Sequence, residues 1–297
     1  MSNTFVAPVG FDLASVSAGI RTRSSTADVV LLRSRNPCSA AGVFTKSAFP
    51  AAPVLLSRSR LQTNGNEGFH SVVINAGCAN AVTGDQGIAD AQDMATLAAR
   101  AVDSPSDSSL VMSTGVIGHR LPIDKIRTGI AHAKEQLQPS SYSTWLTMAQ
   151  AIMTTDTFPK LVSRQISLPS GRKCSMAGVA KGAGMIHPDM ATMLSLVCTD
   201  ARVRPNVLQQ CLSNATNNSW NCVSVDGDTS TNDTALVLAN GSGSEWMTTD
   251  YAIGDNIEDT EAFENALTDL SIELAKLIAR DGEGATKFIS IRVIVSS

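Results

Sequence analysis

The residues best placed to do chemistry in this chain lie at positions 181–194, K-G-A-G-M-I-H-P-D-M-A-T-M-L. A lysine and a glycine-rich turn precede Ala191-Thr192. A threonine at such a junction has two capacities. Its hydroxyl can attack the Ala191 carbonyl and cut the chain. The freed Thr192 then carries a nucleophilic hydroxyl beside its own α-amine, a base that titrates near pH ~8. The same letters also spell ordinary structure: A-T-M-L-S-L-V-C has the composition of a buried β-strand and K-G-A-G that of a turn. A short motif alone does not choose between them.

Three further stretches are richer in glycine and small polar residues than packing requires. Residues 112–122, M-S-T-G-V-I-G-H-R-L-P, either form a loop into the next helix or present a Thr114 hydroxyl and a Gly115 backbone N–H to a developing oxyanion. Preorganised donors of that kind are worth about 3–4 kcal/mol. Residues 151–160, A-I-M-T-T-D-T-F-P-K, set three threonines and an aspartate at a helix end, as a cap or as a pocket wall. Residues 281–287, D-G-E-G-A-T-K, hold Glu283 between two glycines, after a helix C-cap or offered to an ammonium group. Residues 225–233, V-D-G-D-T-S-T-N-D, lack the D-x-D-x-D-G order of a calcium loop. Neither the four histidines nor the six cysteines show metal-ligand spacing, so no metal is expected.

Those residues need a scaffold. The 297-residue chain is 43% hydrophobic, enough for one large core or two smaller ones. A net charge of −4 without a basic run argues against a nucleic-acid partner. No apolar stretch approaches the ~18 residues of a membrane helix. The N-terminus, M-S-N-T-F-V-A-P-V-G-F-D, has neither the charged start and apolar core of a signal peptide nor an Arg-rich amphipathic character. With no C-x-x-C pair, this leads to a cytoplasmic expectation. Period-3.6 patterning predicts helices over 90–102, 121–137, 142–153, 204–217 and 260–280. Strands are predicted at 71–75, 160–168, 174–179, 222–225 and 234–238. A last strand is predicted over 287–297, with Ile289, Ile291, Val293 and Val295 on one face.

Seven motifs, in one order and spread over nearly the whole chain, resemble the ornithine acetyltransferase (glutamate N-acetyltransferase) family of arginine biosynthesis. They are A-G-V-F-T-K-S at 41–47, I-N-A-G-C-A-N-A-V-T-G at 74–84, S-T-G-V-I-G at 113–118 and I-M-T-T-D-T-x-P-K at 152–160, followed by the 181–194 segment, V-D-G-D-T-S-T-N-D-T at 225–234 and D-G-E-G-A-T-K. The resemblance implies an α+β fold, a layered αββα sandwich of mixed sheets between helices, with the smaller C-terminal domain largely absent. It implies autoproteolysis between Ala191 and Thr192 into an α fragment, 1–191, and a β fragment, 192–297. Thr192 is then the acyl-accepting nucleophile, Thr114 and Gly115 the oxyanion hole, and Thr154, Lys181, Thr192 and Glu283 the substrate-binding set. The implied reaction moves an acetyl group from N2-acetyl-L-ornithine to L-glutamate through an acetyl-threonine. No cofactor is implied, acetyl-CoA being a possible second donor. The implied partners are the amino-acid substrates and the α and β fragments themselves, without nucleic acid or membrane. The residue types suit the substrates, because a lysine matches a carboxylate and a carboxylate matches ornithine's ammonium.

Two features depart from the family. Cys78 stands in A-G-C-A-N, where members commonly show N-A-N. The family also continues past the segment near Val295 by roughly a further quarter of its length, beyond which the pocket is completed. Two alternatives therefore stand beside the transferase: a related self-cleaving N-terminal-nucleophile amidase or aminopeptidase, and a shortened form without catalysis.

Overall fold

The computed structural model describes residues 5–21, 26–187 and 193–294. Ala191 and Thr192 lie outside the described residues.

The chain opens with β1 (Phe11–Val16) and the long β2 (Val29–Phe44), followed by α1 (Ala52–Thr63) and β3 (Phe69–Cys78). Next come α2 (Gly84–Ala101), β4 (Ser109–Val116), α3 (Ile123–Glu135) and the two-residue β5 (Gln138–Pro139). Then follow α4 (Tyr142–Ile152), the hairpin of β6 (Lys160–Ser167) and β7 (Lys173–Lys181), β8 (Leu194–Thr199) and α5 (Pro205–Asn217). The last elements are β9 (Thr234–Ala239), the short α6 (Ser244–Met247) and α7 (Ile257–Arg280).

β2 is long enough to serve two layers. Its first half pairs antiparallel with β1 and β3, and its second half, beyond an irregularity between Arg33 and Cys38, pairs antiparallel with β9. The hydrogen-bonded order is β4-β3-β2-β9-β8-β7-β6, with β1 also on β2 and β5 on β1. Strand alternation then sorts the side chains. Leu13, Leu32, Ile74 and Met112 from one half meet Val179, Leu196 and Leu236 from the other, with Trp145 and Met148 of α4 closing the layer. The opposite faces carry the helices. Leu31, Val73 and Val111 pack with Met94 and Ala98 of α2 and Ile126 and Ile130 of α3. Met176, Val197 and Val237 pack with Leu208 and Leu212 of α5 and Leu270 and Leu274 of α7. This is the expected αββα sandwich of α+β class. Each fully buried Leu, Ile or Val contributes about 1.5–3 kcal/mol. The parallel pairs β3–β4 and β8–β9 need crossovers, which α2 and α5 supply.

Helix ends follow local chemistry. Ser141 and Thr144 form a capping box at the start of α4, and Asn256 accepts from the Asp259 N–H at the start of α7. No helix among the described residues is long and apolar enough to cross a membrane.

Three sequence expectations are corrected. Residues 287–294 form no strand, and Ile289, Ile291 and Val293 are 74%, 84% and 79% exposed. An alternating apolar pattern becomes a strand only where a neighbour offers hydrogen bonds, and among the described residues none of the nine strands runs beside it. Residues 222–225 are not a strand either. Trp220–Cys222 is a 3-10 turn that buries the Trp220 ring, and large apolar burial there mimics a strand pattern. The stretch at 112–122 is no simple loop, since β4 continues through Val116.

Candidate active site

Thr114, Gly115, Thr154, Lys181 and Glu283 line one cavity of about 490 Å³. They arrive from four places in the chain: the end of β4, the loop after α4, the end of β7 and the turn after α7. The junction residues Ala191 and Thr192 lie outside the described residues. The chain is described again from Met193, which is buried and donates its N–H to Asp233 Oδ1 at 3.1 Å. Leu194 then pairs with Lys181, and Met193 accepts from the Thr234 N–H at 3.1 Å.

Gly115 sits at φ +128°, beside Gly77 in the parallel β3–β4 pair. A Cβ there would stand 2.3 Å from the Gly77 carbonyl carbon, so only glycine lets the two strands close at this point. Thr114 is buried, and its hydroxyl accepts from Lys181 Nζ at 3.1 Å. A hydroxyl that accepts from the lysine keeps its own hydrogen to donate into the cavity. Asn232 fixes the preceding peptide: its Nδ2 donates to the Ser113 carbonyl at 2.9 Å and the Ala79 carbonyl at 2.7 Å.

Lys181 is buried at the end of β7. Burial pulls its pKa below the usual lysine range, while the charges of Asp156 and Asp233 oppose that fall. Asp156 is the reciprocal case. Burial alone would raise its carboxyl, but Lys181, Lys160 and the Gly182 N–H more than reverse this and hold it below the ordinary carboxylate value. Burial pushes Asp233 well above that value, and its Oδ2 has no hydrogen-bond partner among the described residues.

Thr154 is exposed to the cavity mouth, and its N–H donates to Asp156 Oδ2 at 3.0 Å. Glu283 is exposed on the turn beyond α7, with its N–H on the Ala183 carbonyl at 2.7 Å. Its carboxylate rests over Gly184, where an added Cβ would meet Glu283 Cδ at 2.7 Å. The cavity thus offers a cation, a hydroxyl donor and a carboxylate at separate points, a charge pattern that fits a small amino acid with a second ammonium.

Sequence reading missed Arg21, which also lines the cavity and donates to the Ala151 and Met153 carbonyls. An isolated arginine carries no spacing signal. Asn232 and Asp233 fall in the stretch weighed as a calcium loop; their work instead is to pin Ser113, Ala79 and Met193. The i,i+4 spacing of Asp156 and Lys160 was the available sign of an ion pair.

A model of the ArgJ family matches residues 12–297. The chain belongs to the ArgJ family. It is 53% identical over 294 residues to the mitochondrial arginine biosynthesis bifunctional protein ArgJ 1 of Botryotinia fuckeliana, covering 96% of this chain and 61% of that protein. It is 52% identical over 292 residues to the mitochondrial ArgJ protein of Sordaria macrospora, covering 97% of this chain and 60% of that one. The chain therefore spans about three fifths of the length of these curated ArgJ relatives. Among solved structures, it resembles the ornithine acetyltransferase of Mycobacterium tuberculosis complexed with ornithine (TM-score 0.53, 36% identity, 63% of this chain and 96% of that one). The aminopeptidase of Ochrobactrum anthropi, a variant of the Ntn hydrolase fold, shares the fold alone (TM-score 0.53, 12% identity, 94% of this chain and 88% of that one). The cytoplasmic expectation is overturned, because these ArgJ relatives are named as mitochondrial. An organelle address is read from a targeting segment by import machinery, so the composition and charge of the folded part do not report it.

Proposed function

We propose that this chain carries the catalytic centre for transfer of an acetyl group from N2-acetyl-L-ornithine to L-glutamate in mitochondrial arginine biosynthesis. The observation that carries the reading is the meeting of Thr114, Gly115, Thr154, Lys181 and Glu283 in one cavity. Cleavage between Ala191 and Thr192 frees the Thr192 α-amine, which accepts the proton of its own hydroxyl. Thr192 Oγ attacks the acetyl carbonyl, the Thr114 hydroxyl and Gly115 N–H stabilise the oxyanion, and the proton passes to the departing ornithine amine. Glutamate's amine then attacks the acetyl-threonine and regenerates the hydroxyl. Lys181 takes the α-carboxylate of each amino acid, Thr154 borders it, and Glu283 takes ornithine's ammonium. Acetyl-CoA is a second possible donor, and the chemistry asks for no cofactor or metal.

The α fragment, 1–191, and the β fragment, 192–297, are proposed to stay together. β7 lies before the junction and pairs with β8 after it, and β2 pairs with β9. Denaturing intact mass of the chain and of a Thr192→Ala variant tests the first step; two species split at Ala191–Thr192, absent in the variant, are expected. Acetyl transfer from N2-acetyl-L-ornithine to glutamate is expected alongside. Release of acetate without acetylglutamate would replace the transferase reading with a hydrolase.

A further inference from the structure

Beneath the cavity runs a chain of buried ion pairs that no step above uses. Lys160 is fully buried, and its Nζ donates to Asp156 Oδ1 and to Asp281 Oδ2, each at 2.6 Å. Asp281 stands two residues before Glu283 and also accepts from the Thr157 N–H at 3.0 Å and from the Thr157 hydroxyl. Asp156 holds the other end: its Oδ1 accepts from the Gly182 N–H at 2.7 Å, and its Oδ2 from the Thr154 N–H. Its charge also faces Lys181.

We propose that Asp156, Lys160 and Asp281 are positioning residues of the amino-acid site. They form one buried relay that fixes Lys181, the Thr154 backbone and the Glu283 turn relative to one another. The charges account for the arrangement. Lys160 and Lys181 bring two cations and Asp156 and Asp281 two anions, so the set is neutral and can be buried as a unit. None of the three need touch substrate. Asp156 acts by keeping a proton on a buried lysine, and Asp281 by clamping the turn beyond α7 to the loop beyond α4.

The inference rests on the amino-acid reading of the cavity, and its test separates the two. Binding of L-ornithine is measured by calorimetry as a function of pH, because burial lowers the Lys181 pKa and the Asp156 charge opposes that fall. The groups facing Lys181 are Asp156, Asp233, Lys160 and Arg21, with the Thr114 hydroxyl against its Nζ and Glu283 across the same cavity. Asp156→Asn keeps an acceptor for Gly182 but removes the anion, so Lys181 should lose its proton at lower pH. Ornithine affinity should match wild type at the low-pH end, where both forms hold the Lys181 proton, and fall about tenfold relative to it per pH unit once Lys181 titrates in the variant. An unchanged profile, or an equal loss at every pH, overturns the relay. Should that variant not fold, Thr157→Val removes only the hydroxyl on Asp281. It should weaken ornithine severalfold and leave L-norvaline, which lacks the side-chain ammonium, unchanged. Equal effects on both ligands, or none, overturn the relay as well. If the wild-type chain binds neither ligand at any pH, the amino-acid reading itself fails and takes this inference with it.

Discussion

At the scale of single residues, the site depends on atoms that leave no room for substitution. A Cβ at Gly115 would collide with the Gly77 backbone, which cannot rotate away as a side chain can. Gly115→Ala is expected to cost at least ~2 kcal/mol of stability, read from the urea midpoint. Asp233 gives a pH signature. Burial raises its folded pKa above 3.8, so the folded chain holds this proton more tightly than the unfolded one. Its contribution is therefore complete at pH below 3.8 and declines as pH rises toward the folded value. Asp233→Asn mimics the neutral acid and should remove that decline, flattening unfolding free energy against pH; an unchanged slope would show that Asp233 is ionised in the fold. The thiols divide as sharply. Burial pushes Cys38, Cys174 and Cys211 up to about 12, and Cys222 alone of the six cysteines is exposed. One fast-reacting thiol per native chain is expected with a disulfide reagent at neutral pH, and six in denaturant.

At the scale of elements, the hairpin β6–β7 and the helix α7 are joined by charge as well as by apolar packing. Lys160 opens β6, and Asp281 caps the C-terminus of α7. Lys160→Met leaves two buried carboxylates without their cation, which is expected to cost about 3–5 kcal/mol by chemical denaturation. An effect below ~1 kcal/mol would mean that water already reaches the pair. The apolar stripe of α7, with Phe263, Leu267, Leu270 and Leu274 buried, was legible from its 3–4 spacing. The ion pair at its end was not, because Lys160 and Asp281 meet across 121 positions of sequence.

At the scale of the whole molecule, the two pieces on either side of the junction share a sheet rather than forming separate bodies. The six register pairs between β7 and β8, and six more between β2 and β9, cross the boundary. If the chain is cut at Ala191–Thr192, the fragments should co-elute in gel filtration under native conditions and separate only in denaturant. Separation without denaturant would mean that the shared sheet does not hold once cut.

The sequence by itself determined the strongly periodic helices and the strands near 71–75, 160–168, 174–179 and 234–238, since local spacing reports those directly, while the buried β1, β2 and β4 went unread. It named Thr114, Gly115, Thr154, Lys181 and Glu283 through motifs, and those five line one cavity. What only the tertiary structure decided is which distant residues support them: Asn232 on the Ser113 peptide, Asp156 and Asp281 on Lys160, and Arg21 at the cavity wall. It also decided that the alternating apolar run at 287–294 has no strand to pair with among the described residues. Periodicity reports which face of an element is apolar. Pairing, burial of charge and closure of a pocket depend on what stands opposite, and that is set only when the chain folds.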